Sequence, residues 1–271
     1  MDFNLKITTS ADLPKFSIAL VNYKTLELTK ICLDLLKKHI DSGDLGKDRV
    51  DVWVVDNHSQ DASVEYLRSL DWINLIERTP TESEQGFVAH GKGLDLILER
   101  IRSDYIFLLH TDTFIYDPSV FDWMLSFCTL NEEVVAVGCL EQLNRGYLRT
   151  IWRISSRFCK HYSRRLKLAL GFTAREPKPY KEEYIKSFCA LWSAKLMKQH
   201  GYSFLMADRI PGYELQDRLK SDGYQFKLLS PMKLFKFLDH VEAGTVGLRL
   251  SYSEMNRRVK RKNSILKKLE G

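Results

Sequence analysis

The chain has 271 residues, 44% hydrophobic and 28% charged, with a formal net charge of +6. That composition fits one large α/β domain or two small ones. No apolar run approaches the ~20 residues that span a bilayer. Five cysteines without a Cys-x-x-Cys pair indicate neither a disulfide framework nor a zinc ribbon. The opening MDFNLKITTSADLPKF lacks the basic-then-apolar pattern of a secretory signal, so a cytoplasmic location is expected.

FSIALVNY (Phe16 to Tyr23) is apolar and rich in β-formers, which predicts a strand. Leu28, Ile31, Cys32, Leu35, Leu36 and Ile40 then recur in steps of three and four, which predicts an amphipathic helix ended by SGDLG. VDVWVVD (Val50 to Asp56) predicts a second strand, NHSQDAS a turn, VEYLRSL a short helix and INLIER a third strand. GKGLDLILERI places Leu94, Ile97, Leu98 and Ile101 on one helical face, and YIFLLHTD predicts a fourth strand. Continuous apolar strands alternating with helices predict an α/β fold with a mostly parallel, Rossmann-like sheet covered on both faces. Further on, WMLSFCTL predicts a helix and EVVAVGCLEQL a strand. SFCALWSAKLMKQHGY predicts strand then helix, GYELQDRLKSDGYQFKLLSP a helix, a glycine stop and a strand, and the Lys/Arg-rich tail from Arg257 a fraying helix.

In open parallel sheets ligands bind outside the carboxyl ends of the strands. Three such ends are polar: Asn22-Tyr23, Asp56-Asn57 and His110-Thr111-Asp112. A dinucleotide site would need G-x-G-x-x-G after the first strand, where VNYKTLE has no glycine. The G-x-G of Gly91 and Gly93 lies instead before the third helix, and no P-loop motif occurs. Phosphates would then need another partner, and a divalent cation on Asp112, Mg²⁺ or Mn²⁺, is the economical one. Asp56 suits a ribose or base edge, and equally a cap for its own turn. Lys92 suits either a phosphate or plain solvation.

FSIALVNYKT, VDVWVVDNHSQDAS and SDYIFLLHTDT together resemble the nucleotide-binding half of family-2 glycosyltransferases with the GT-A fold. The middle element matches most specifically, through Asp56, Asn57, Ser59, Asp61 and Ser63. The likeness continues weakly through Arg218, Leu219, Gly223 and Tyr224 to LDHVEAGT. The resemblance implies a single GT-A domain over 1–271. About 14–117 would bind a nucleotide-diphosphate sugar and about 118–271 a saccharide or lipid-linked acceptor. It implies that Asp56 contacts the donor nucleoside, that Asn22 and Tyr23 line the base pocket, and that Asp112 ends a D-x-D motif whose first acid is replaced by His110. It further implies His240 as a metal or acceptor contact. Counting back from Arg218, the family's catalytic Asp falls on Gly212, and Glu214 falls on the acid two places later. A short slip of the loop makes Glu214 the candidate base, with Asp217 and Asp208 as lesser candidates. Trp192 stands where relatives often put an aromatic against the acceptor sugar, and a core tryptophan reads equally well. One carboxylate opposite the leaving group implies hexosyl or deoxyhexosyl transfer with inversion, in polysaccharide or glycolipid assembly.

From Arg145 to Lys178 there are ten Lys/Arg and one acid, Glu176. Arg145, Arg149, Arg153 and Arg157 recur every four residues, with Leu148, Ile151, Trp152, Phe158, Cys159, Tyr162 and Leu166 mostly off that stripe. Three readings stand. The helix lies on an anionic membrane, which would make the protein peripheral at the inner face; its apolar side packs on the sheet; or its arginines grip an acceptor phosphate. Two rival functions also stand: an inactive nucleotide-sugar-binding relative, and a nucleic-acid-binding protein. The second leaves the acidic strand ends unexplained and has no recognised motif, so nucleic acid is not an expected partner.

Overall fold

The computed structural model describes residues 14–81, 84, 86–242, 260, 263–265 and 267. Phe16–Asn22 forms β1, buried along nearly its whole length. Leu26–Asp41 follows as α1, and Val50–Asp56 as β2. Next come α2 (Ala62–Arg68), β3 (Ile73–Glu77), α3 (Phe87–Arg100) and β4 (Tyr105–Leu109). β3, β2, β1 and β4 lie side by side in that order, all parallel. The strand order therefore reverses between β1 and β4, which places a crevice beyond Asn22, Asp56 and His110.

The remaining elements are β5 (Thr113–Ile115), α4 (Ser119–Leu130), β6 (Val134–Gly138), α5 (Tyr147–Ala169), β7 (Cys189–Ser193), α6 (Ala194–His200), α7 (Tyr213–Ser221), β8 (Gln225–Leu228), α8 (Pro231–Leu234) and β9 (Leu238–His240). β7 runs antiparallel between β4 and β6, and β8 closes the seven-stranded sheet parallel to β6. The strand expected through EVVAVGCLEQL stops at Gly138, where the Ile185 side chain crosses so closely that a Cβ would meet its Cγ2 at 2.4 Å. β5 and β9 form a separate antiparallel pair, which the sequence did not indicate. Most of the Lys/Arg-rich tail lies outside the described residues; Ile265, within it, is buried in the main core.

Two cores sandwich the sheet. On one face the rings of Phe16, Phe107 and Phe121 pack at centroid distances of 4.9–5.4 Å, beneath α1 and α4. On the other, α3 presses against β1 and β2 through Gly93, where a Cβ would lie 3.2 Å from Val21. A Cβ on Gly91 would collide with Pro211 and Leu205 at 2.8 and 2.9 Å. The G-x-G pair therefore serves close packing. Among the described residues no helix is long and apolar enough to cross a membrane.

Phe107→Ala would empty the middle of the aromatic trio, and should destabilise the protein by about 3–5 kcal/mol in urea unfolding. A midpoint unchanged from the unsubstituted protein would show that the trio does not hold this core.

Candidate active site

The loop after β2 is built around Asp56. His58 and Gln60 both adopt left-handed φ, near +61° and +53°, and fold Ser59 back onto the strand end. Asp56 accepts from the Ser59 amide at 2.9 Å and the Ser59 hydroxyl at 2.5 Å. The Asn22 amide nitrogen donates to Asp56 at 2.7 Å and reaches Ser59 and Ser63 at 3.1 Å. Its oxygen accepts from Thr25 and Thr29, both at 2.9 Å. Asp61 caps α2 through the Ser63 amide, and Asn57 reaches the Ala89 carbonyl at 3.0 Å. The residues of the D-N-x-S-x-D-x-S element thus all have structural work at the strand end. Asp56 caps its turn as anticipated, and also borders an open cleft with His58, Asp61, Arg68, Glu77, Arg78 and Thr79.

Tyr23 is exposed just past the end of β1, with the Lys24 ammonium 5.3 Å from its ring centre, and it does not line the Asp56 cleft. Lys92 pairs with Glu84 at 2.6 Å, and Glu84 also pairs with Arg78. In this arrangement its charge is neutralised locally.

β4 ends in His110 and Asp112, and the β5–β9 pairing brings a distant residue to them. His240 pairs with Thr113 in the ladder, and the Val241 amide donates to the Asp112 carbonyl at 3.0 Å. His240 Nε2 lies 3.2 Å from Asp112 Oδ1, and His110 Nδ1 lies 3.9 Å from the same oxygen. Ligand atoms of all three residues fall within 4.8 Å of one another, and Asp112 and His240 are buried. The His240 ring stacks on Phe188 at 4.8 Å, and its Nδ1 is 3.0 Å from the Gln142 carbonyl. A carbonyl only accepts, so Nδ1 carries the hydrogen and the neutral tautomer presents a lone pair from Nε2. Outer-shell partners fix metal-binding histidines in this way.

The electrostatics fit the same use. Burial works against a charge on His240, but the Asp112 carboxylate, the Gln142 carbonyl and Glu242 together hold the ring above its ordinary pKa. The favourable place beside Asp112 is therefore one for a cation. Burial pushes His110 down to about 3, against the pull of Asp112, so this imidazole is neutral and able to ligate. The donor set, two imidazoles and one carboxylate, suits a divalent cation such as Mn²⁺.

Sequence reasoning missed three contributors. His90, at the start of α3, lies 5.6 Å from His110 ring to ring, with Nε2 buried and without a hydrogen-bond partner; burial pushes it down to about 4. Ser187 meets His110 Nε2 at 2.9 Å. The third is the Gln142 backbone, which no side-chain pattern can announce. For His90 the available signal was a histidine among small residues in VAHGKG.

The acidic segment sits on α7. Gly212 precedes the helix at φ +85°, a conformation an aspartate would strain to adopt. Glu214 accepts from Arg209 at 2.8 Å and Arg218 at 3.1 Å, and these bonds hold its carboxyl below the usual range. Asp217 accepts from the same Arg209 at 2.7 Å and from the Tyr184 hydroxyl at 3.0 Å. α7 connects to the metal side through Tyr213, whose hydroxyl accepts from Lys186, the neighbour of Ser187. Asp208 lies in the preceding loop, itself at left-handed φ. Trp192 is buried in the second core against Phe204 and Phe226, since β7 is covered on both faces; the core reading describes its place.

The sequence model described as Glycosyl transferase family 2 matches residues 17–188. No curated protein sequence matches the chain. Among solved structures, the fold is similar to that of the mannosyltransferase PcManGT from Pyrobaculum calidifontis in complex with GDP-Man and Mn²⁺. That match has a TM-score of 0.56 at 14% identity, and covers 80% of this chain and 55% of that one. The chain thus spans about half the length of that enzyme. TarS from S. aureus matches with TM-score 0.48 and 14% identity, over 91% of this chain and 78% of that one. Glucosyl-3-phosphoglycerate synthase from Mycobacterium tuberculosis, in complex with Mn²⁺, UDP and phosphoglyceric acid, matches with TM-score 0.46 and 17% identity, over 77% and 63%.

Asp112→Asn keeps the shape of the cluster and removes its charge. Calorimetric titration with Mn²⁺ should show affinity falling by more than the roughly 10- to 100-fold that loss of an outer-shell partner costs. Undiminished affinity would remove Asp112 from the metal site.

Proposed function

The chain belongs to glycosyl transferase family 2, and we propose that it moves a hexosyl or deoxyhexosyl group, with inversion, from a nucleotide-diphosphate sugar to an acceptor hydroxyl in polysaccharide or glycolipid assembly. The observation that carries this reading is the His110–Asp112–His240 cluster, set past the end of β4 on the same carboxyl edge of the sheet as the Asp56 cleft. The mannosyltransferase of similar fold was solved with GDP-Man and Mn²⁺, the two ligand classes assigned here.

In this reading the nucleoside lies in the cleft bordered by Asp56, with Asn22 holding that carboxylate in place. The diphosphate extends toward His110, Asp112 and His240. A divalent cation bound there supplies positive charge against the diphosphate as it leaves. The burial of Asp112 and His240 strengthens every charge interaction in the site, because little water competes. Lys92 could serve the phosphates only by exchanging Glu84 for them.

An acceptor hydroxyl is a poor nucleophile unless a carboxylate takes its proton. Glu214 is the candidate base: it is held ionised, as a base must be, and stands in the first turn of α7. Arg209 and Arg218 also lower its basicity, so the acceptor must displace at least one of them for Glu214 to act well. Asp217 shares Arg209 and is the second candidate. Trp192 could touch an acceptor only after the surrounding core rearranges.

One observation favours a second reading, a sugar-nucleotide-binding protein without transfer. The place where family members have the catalytic aspartate holds Gly212, in a conformation suited to glycine. A thermal-shift screen of sugar nucleotides with and without Mn²⁺ tests what both readings share, since ligands selective for the native state raise Tm. Assays of donor hydrolysis and transfer separate the two.

For the transfer reading, Glu214→Gln should leave donor binding nearly unchanged and lower turnover by roughly 10²- to 10⁴-fold. Asp217→Asn should do much less. If Asp217→Asn is instead the crippled variant, the base lies one turn further along α7.

A further inference from the structure

The helix α5 is turned the opposite way from an ordinary surface helix. None of its 23 residues is buried. Its inward edge is arginine: Arg153 pairs with Glu141 and Glu182, and Arg157 pairs with Glu182 at 2.6 Å. Its outward face is apolar. Leu148, Trp152 and Leu166 are 82%, 73% and 61% exposed, and Ile151, Phe158 and Tyr162 are exposed beside them. On a helical projection these six span an arc of about 120°. Arg149, Lys160 and Lys167 lie together along one edge of that arc, and all are exposed.

The structure therefore removes the reading in which the apolar side packs on the sheet, and it divides the arginine stripe. Arg153 and Arg157 are committed to the protein's own acids. A contiguous apolar face of this kind marks a contact surface on a soluble domain.

The occupant follows from charge. Of the ten Lys/Arg between Arg145 and Lys178, Arg153 and Arg157 are paired with Glu141 and Glu182, and the other eight stand against one acid, Glu176. A second copy docked through the same face about a two-fold axis would set two such cationic borders against each other. An anionic lipid surface attracts both parts: the cations by charge, and the apolar arc with its tryptophan and tyrosine by burial at headgroup depth. We propose that α5 is a membrane-docking helix, lying in the headgroup region of an anionic bilayer with Leu148, Trp152 and Leu166 inserted and Arg149, Lys160 and Lys167 at the phosphates.

The docked helix is joined to the metal cluster by short connections. The carbonyl of Gln142, just before α5, holds His240, and Glu182, which binds Arg157, also binds Lys186, the neighbour of Ser187 at His110. Where the transfer reading holds, this contact brings the site to acceptors carried on lipid. The docking itself does not depend on that reading.

Vesicle flotation tests it, with no donor or metal present. The protein should float with phosphatidylcholine–phosphatidylglycerol vesicles and not with phosphatidylcholine alone. Flotation should weaken between about 0.05 and 0.5 M salt as screening shortens the reach of the charges. Arg149, Lys160 and Lys167 changed together to Gln should weaken partitioning about 100-fold, near fivefold for each cation lost. Leu148, Trp152 and Leu166 changed together to Gln should abolish flotation while circular dichroism and Tm stay as in the parent, because all three side chains stand in solvent. Wild-type protein that stays soluble at low salt overturns the proposal, as does undiminished flotation of the apolar variant. A wild-type dimer that does not float and becomes a monomer in that variant assigns the face to a second copy, and also overturns it.

Discussion

The buried amide of Asn22 holds the ligand-facing end of the sheet together. One side chain joins the end of β1 to the end of β2 through Asp56, to α2 through Ser63, and to the start of α1 through Thr25 and Thr29. Thr25 in turn meets Thr111, between His110 and Asp112. Each bond has a modest net value of about 1 kcal/mol, but a buried partner left without one costs about 1–3 kcal/mol. Removing the hub would take one bond at once from Asp56, Ser59, Ser63, Thr25 and Thr29. The position of Asp56 over its cleft and the seat of the His110–Asp112 turn thus share one fully bonded network, and such networks fix a single geometry.

The parts legible in the sequence are those whose signal is local. The first four strands and their helices announce themselves by runs and periods, because each buries its own residues against a neighbouring layer. Asp56 and Asp112 announce themselves as acids ending apolar strands. The metal cluster was legible by two routes. Asp112 follows from its own strand, whereas His240, 128 residues further on by number, came only from the family resemblance, because the β5–β9 ladder that brings it in is a three-residue pairing too short to leave a periodic pattern. Gln142 acts through its backbone, where side-chain identity carries no information. Trp192 shows the converse failure. β7 is sandwiched between β4 and β6 and covered on both faces, so its residues carry no alternation that could tell a core ring from an exposed one.

The arginine stripe of α5 exposes a more general limit. A periodic pattern reports that a helix has two unlike faces, not which of them meets the protein. That choice is made by Glu141 and Glu182, which lie outside the helix in sequence and turn its basic edge inward. Burying arginine against acid is a weak source of stability. It is a firm constraint on orientation, because turning the helix over would take Arg153 from Glu141 and leave Glu182 with Lys186 in place of two arginines.

The same reasoning bears on Arg209. One guanidinium serves two carboxylates, Glu214 and Asp217, and the Tyr184 hydroxyl, and it is presented by a loop in which Ala207 and Asp208 both adopt left-handed φ. Two consecutive non-glycine residues in that region store backbone strain that the surrounding contacts must hold. The charge-assisted bonds from Arg209 are the strongest such contacts in view. An acceptor that takes a hydrogen bond from Arg209, or offers a hydroxyl to Glu214, weakens the bonds that keep the loop strained. Relaxation of the loop and release of the carboxylate then favour each other, so on the proposed transfer reading acceptor binding and the freeing of Glu214 become parts of one equilibrium. On that reading, with Gly212 at the place the family resemblance gives to an acid, turnover depends on how far the equilibrium moves.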